Sequence, residues 1–95
     1  MGADLSKADL RGADLDGALL DKATFAGANL SMVDFSGIDL SKADLRGADL
    51  DRAILGKAKF DETNLSGVDL SGADLSGANL NKADVRGSVG TETRK

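Results

Sequence analysis

From Leu5 to Val85 every fifth residue is Leu, Phe or Val, 17 positions in a row without an exception. A helix turns about 100° per residue, so a period of five would scatter these groups around its cylinder. A straight strand alternates faces with period two, and five is odd, so Leu5 and Leu10 would point to opposite sides. What remains is a chain that bends once in every five residues, so that each of these side chains points to a common axis. The positions two residues earlier agree, because i−2 and i share a face of an extended segment. That row runs Ala3, Ala8, Ala13, Ala18 and stays small or apolar through Val33, Ile38, Thr63, Val68 and Ala83. The other three places hold mostly Asp, Asn, Ser, Gly, Lys and Arg and are expected to face water and make the corners. Glycine recurs two residues past the centre, as at Gly12, Gly47 and Gly77, where a missing Cβ eases a tight bend.

Units such as Ala8-Asp9-Leu10-Arg11-Gly12 and Ala78-Asn79-Leu80-Asn81-Lys82 resemble the A(D/N)LXX signature of the pentapeptide-repeat family, over nearly the whole chain. The resemblance implies an all-β fold, a right-handed quadrilateral β-helix with four units per coil. The count of four and the handedness come from the family. On that basis residues 2–88 form the β-helix, with about four coils of twenty residues, and 89–95 form a polar C-terminal tail. A solenoid of this kind escapes the limits on a small globular core, since each coil buries its inner row against its neighbours. Phe25 and Phe35 lie ten residues apart and are expected on opposite walls of one coil, filling the axis near Val33 and Ile38. The stretch Leu5 to Asp16 recurs unchanged as Leu40 to Asp51, seven units on, which sets the copies a quarter-turn apart and reads as repeat expansion.

The chain has no cysteine and no histidine, so disulfides, thiolate metal sites and the usual nucleophile–base pairs are excluded. The Gly-Gly-x-Gly-x-Asp pattern of calcium-binding nonapeptide repeats is also missing. No enzyme activity, cofactor or metal is expected. Direct nucleic-acid binding is disfavoured by the lack of a basic excess and of an aromatic stacking platform. No apolar run suits a membrane span, and Met1-Gly2-Ala3-Asp4 lacks the basic and apolar regions of a signal peptide, so a cytoplasmic protein is expected.

Taking units four apart as one wall sorts the net charge of −4. The third wall carries Asp14, Asp16, Asp34 and Asp74 against Lys57 alone; the second carries Asp9, Asp49, Asp51 and Asp69 against Arg11 and Arg52. The other two walls balance. The candidate protein-binding surface is therefore an acidic wall of Asp14, Asp16, Asp34 and Asp74, with Asp9, Asp49 and Asp69 beside it. The plainer interpretation is that Asp and Asn before each leucine serve the corners through hydrogen bonds to backbone amides, and it carries more weight because this place is acidic or amide on every wall. Leu19, Met32 and Ile54 are apolar at outward places and too scattered to mark a surface, though Met32 and Ile54 could share a corner.

Two functions follow as expectations. The first is a noncatalytic scaffold for an unknown protein partner, with strand edges at the rod ends favouring an end-to-end homodimer unless a longer repeat protein covers them. The second comes from the resemblance: some family members are rods similar to B-DNA that bind type II topoisomerases such as gyrase, which would make the acidic wall a DNA mimic. This chain departs from them in being short and in setting 12 basic residues against 16 acidic ones.

Overall fold

Each five-residue unit closes on itself through a β-turn. The N–H three residues past the centre donates to the centre's own carbonyl, as Ala8 does to Leu5 at 3.1 Å and Ala48 to Leu45 at 3.0 Å. This is a computed structural model, and it describes residues 3–15, 18, 20 and 22–88. The third residue of the turn takes a positive φ, 67° at Gly47 and 71° at Gly67, which marks a type II turn and favours glycine there. Lys7, Lys22, Met32, Lys42, Arg52, Lys57 and Glu62 adopt the same left-handed conformation without being glycine, so the fold imposes the corner whatever residue stands at it.

Between corners only three residues are extended, and one of them bridges to the next coil. The bridges are parallel and twenty residues apart: Asp4, Thr24, Asp44, Asn64 and Asp84 on the first wall, then Asp9, Asn29, Asp49 and Asp69 on the second. The third wall pairs Asp14, Asp34, Ile54 and Asp74, and the fourth pairs Asp39, Lys59 and Asn79. Twenty residues per coil and four walls are therefore visible in the pairing. The expected all-β architecture needs one correction. Among the described residues the ladder consists of isolated single-residue bridges and not of extended strands, because a turn every five residues leaves no room for a longer run.

Among the described residues of the inner coils, three backbone N–H groups of a unit point along the rod axis. The centre's N–H reaches forward a coil, as Leu5 to the Thr24 carbonyl at 2.8 Å; the residue before it reaches back, as Thr24 to Ala3 at 2.8 Å. The corner residue also reaches forward, as Lys7 to Ala26 at 2.9 Å. The turn uses a fourth N–H. Only the first corner residue is left, and a buried or half-buried amide without a partner is costly.

The two apolar rows fill the axis. Phe25, Leu30, Phe35, Leu40, Leu45, Leu50, Leu55, Phe60, Leu65 and Leu70 are fully buried, with the alanine row, Val33, Ile38 and Val68 packed between them. Phe25 and Phe35 meet across the axis edge to face, with ring centroids 5.9 Å apart, so the second coil is plugged by its own aromatic pair as its spacing predicts. Thr63 is the one buried polar residue among those described; its hydroxyl donates to the Leu40 carbonyl at 2.7 Å, which satisfies it inside the core. Burial fades toward the ends: Leu5, Leu10, Leu15 and Leu80 are half-buried and Val85 is exposed.

Candidate functional site

The remaining amide explains the acidic columns. At the place before most centres, an Asp or Asn carboxylate or amide oxygen accepts a hydrogen bond from the N–H two residues on, and before Phe25 the Thr24 hydroxyl accepts from Ala26. Asp34 accepts from Ser36 at 3.0 Å, Asp74 from Ser76 at 3.0 Å, Asp69 from Ser71 at 3.0 Å and Asp49 from Asp51 at 3.0 Å. Asn64 does the same for Ser66 at 3.0 Å and Asn79 for Asn81 at 2.9 Å, so the negative charge is not required for this service. An Asx turn of this kind supplies the one partner that neither the coil-to-coil ladder nor the β-turn offers.

The bridges place most of the sequence-selected carboxylates as expected. Asp14, Asp34 and Asp74 share the third wall, and Asp9, Asp49 and Asp69 share the second, each at about the 4.8 Å spacing of stacked strands when in neighbouring coils. Asp16 lies outside the described residues, as do Gly17, Leu19, Asp21 and the expected tail at 89–95. The carboxyls of Asp34, Asp69 and Asp74 are held below the usual carboxylate range by the Ser36, Ser71 and Ser76 groups that donate to them. Asp9 is lowered as well, first by the Arg11 side chain, which grips it through Nε at 2.8 Å and Nη2 at 2.8 Å. The same Asp-x-Arg pair recurs at Asp44 and Arg46 and at Asp84 and Arg86, and the Arg86 guanidinium draws Asp84 down to about 2. These carboxylates therefore stay ionised far below neutral pH, in positions set by the backbone.

Two outward residues depart from this scheme and carry no oxygen to cap the turn: Ile54, which bridges Asp34 and Asp74, and Lys59 on the fourth wall. Ile54 is 42% exposed and Met32, at the neighbouring corner, is 56% exposed. The sequence presents both as scattered apolar residues that could share a corner, and the coil register shows that Met32 stacks on Arg52 and that Ile54 stacks on Asp34. Among the described residues no group of three or more potential ligands could hold a metal ion, and no helix is long and apolar enough to cross a membrane.

A family model for pentapeptide repeats matches in 8 copies, over the overlapping stretches 1–37, 18–56, 28–67 and 53–89. No curated protein matches the chain. Among solved structures, a pentapeptide repeat protein from the thylakoid lumen of Arabidopsis thaliana is 35% identical, with a TM-score of 0.61 over 93% of this chain and 61% of that one. A trypsin-treated form of QnrB1, a plasmid-mediated fluoroquinolone resistance protein, is 22% identical, with a TM-score of 0.58 over 93% of this chain and 53% of that one, a likeness in fold alone. The chain thus spans less than two thirds of either protein. These relatives imply a right-handed β-helix, and with the repeat matched along almost its whole length, the chain belongs to the pentapeptide-repeat family.

Proposed function

We propose that the chain is a noncatalytic scaffold that binds a protein partner through its second and third walls. The observation that carries this reading is the fixing of the outward carboxylates by their own turns. Side chains already held in place lose little freedom on docking, and a preorganised charged surface steers an oppositely charged partner. The side-chain repertoire favours binding over catalysis, since the carboxylates cap turns and no histidine or cysteine is present to act as base or nucleophile.

The reading is tested by pull-down with the intact protein and with Asp14, Asp34 and Asp74 all changed to Asn. Asparagine keeps the turn cap, as Asn29 and Asn64 do, and removes only the charge. Loss of a partner with the variant supports the acidic wall; equal recovery of every partner sinks it. A second reading makes that partner a type II topoisomerase and the acidic wall a DNA mimic. It is supported by the stacked carboxylates, and unchanged gyrase supercoiling at micromolar protein would remove it.

A further inference from the structure

Met32 and Ile54 each break a local rule of the repeat, and they break it side by side. Ile54 stands where an Asx oxygen would cap the N–H of residue 56, so this turn forgoes a hydrogen bond that Asp34 and Asp74 supply in the coils on either side. Met32 sits at φ 60°, and the other non-glycine residues in that conformation are Lys, Arg or Glu, whose charged ends gain from solvent. A bulky apolar side chain in the left-handed region costs backbone energy, and Met32 stays 56% exposed, so it gains little burial in return. Local rules broken without a structural return are expected at functional positions.

The register puts the two together. The Met32 N–H donates to the Asp51 carbonyl at 2.9 Å, which stacks Met32 on Arg52, and Asp34 bridges Ile54. Met32 and Ile54 are therefore diagonal neighbours across one corner, within about 8 Å from strand spacing and rise. Beside Ile54 the wall is flat: Gly56 has no side chain, and a Cβ there would sit 3.4 Å from the Ser76 carbonyl. The charges around this apolar spot are Asp34, Asp51 and Asp74, against Arg52 at its edge and Lys57 at the far corner of the wall.

We propose that Ile54 and Met32 form the apolar anchor of a docking strip for an extended basic segment of a partner protein, in which an apolar side chain is flanked two residues to either side by Lys or Arg, so that all three face the wall. The apolar side chain packs on Ile54 beside Gly56, and the flanking cations meet Asp34 and Asp74 in the adjacent coils. Charge selects this occupant. A second copy related by a twofold axis would bring Asp34 and Asp74 against like charges, and a purely cationic ligand would leave Ile54 and Met32 in water. The proposal rests on the scaffold reading and deepens it, since it makes the acidic wall a rim around an apolar centre.

The test uses the capped peptide Lys-Ser-Leu-Ser-Lys, its Lys-Ser-Ser-Ser-Lys analogue of equal charge, and amide chemical shifts of the labelled protein. Titration with the leucine peptide is expected to move Met32, Asp34, Ile54, Gly56 and Asp74 together, and the serine peptide to bind about fivefold or more weakly. The deciding variant is Ile54→Asp, which restores the acidic residue carried by the rest of its column and so keeps the fold while adding a negative charge. The anchor predicts weaker binding of the leucine peptide to this variant. Met32→Gly, glycine being the corner residue the turn favours, is expected to weaken it less. Unchanged or tighter binding to Ile54→Asp, shifts spread evenly over all acidic columns, or no binding by the native protein would overturn the strip. A pull-down partner lost with the Asp14, Asp34 and Asp74 variant would still stand in that event, so the two readings fail separately.

Discussion

At the residue scale the fold turns on two requirements per unit, a left-handed corner and an oxygen before the centre. Gly47 meets the first without cost, having φ 67° and open space where a Cβ would go. Lys42 meets it at φ 64° under strain. Gly47→Ala is accordingly expected to lose about 1 kcal/mol through backbone strain alone. Lys42→Gly is expected to gain about 0.5 kcal/mol, the relief being partly offset by a more flexible unfolded chain. Urea unfolding of both variants checks the pair, and opposite signs are the diagnostic result. Where a long side chain precedes glycine along a corner column, its stem covers the bare backbone: a Cβ on Gly72 would stand 3.1 Å from Arg52 Cγ, and one on Gly77 would stand 3.2 Å from Lys57 Cγ. Thr63 shows a different tolerance, since a hydroxyl in the inner row is accepted once it finds the Leu40 carbonyl.

At the element scale the unit of stability is the coil, and its worth depends on having a neighbour on both sides. Leu45 lies in an inner coil and is fully buried, while Leu10, a centre in the first coil, is half-buried. Leu45→Ala should therefore cost about 3 to 5 kcal/mol, by lost transfer energy and the cavity left between two rigid layers. Leu10→Ala should cost about 1 to 2 kcal/mol, since less of its side chain leaves water on folding. Thermal unfolding of the two variants measures the gradient, and equal losses would mean that the first coil is covered as fully as the inner ones. The Phe25–Phe35 pair gives the second coil an aromatic contact that no other coil shares among the described residues.

At the scale of the whole molecule the charges decide how stability responds to acid. Asp4, Asp9, Asp34, Asp39, Asp44, Asp69, Asp74 and Asp84 are all held below their ordinary value by hydrogen bonds that exist only in the folded chain. A depressed carboxylate binds its proton more readily when unfolded, so its contribution is fully present above the unfolded value and is lost as pH falls through the folded one. The melting temperature is expected to stay level with respect to these groups at neutral pH and to drop below about pH 4, with the Asp84 share lost between there and about pH 2. Melting curves from pH 7 to pH 2 check this, and Asp84→Asn should show a shallower acid loss because asparagine still caps the turn but cannot pair with Arg86. A melting temperature that rises on acidification would mean that repulsion within the acidic walls outweighs their hydrogen bonds.

Much of this was legible in the amino-acid order, for a physical reason: a bend every five residues makes burial periodic, and periodicity survives in one dimension. The inner rows and the corner glycines follow from spacing, and the sharing of walls and the meeting of Phe25 with Phe35 follow once the family resemblance supplies four units per coil. The capping role of the aspartates was also readable, because an Asx turn spans only two residues. Register between coils was not readable from neighbours in the chain, and it sets Met32 on Arg52 and places Ile54 between Asp34 and Asp74, while the turn every five residues reduces the expected strands to single bridges. The sequence by itself determined that this backbone must bend inward around one axis. Which outward side chains become neighbours was decided by the stacking of coils, since residues twenty apart are brought together only by the hydrogen bonds that run between layers.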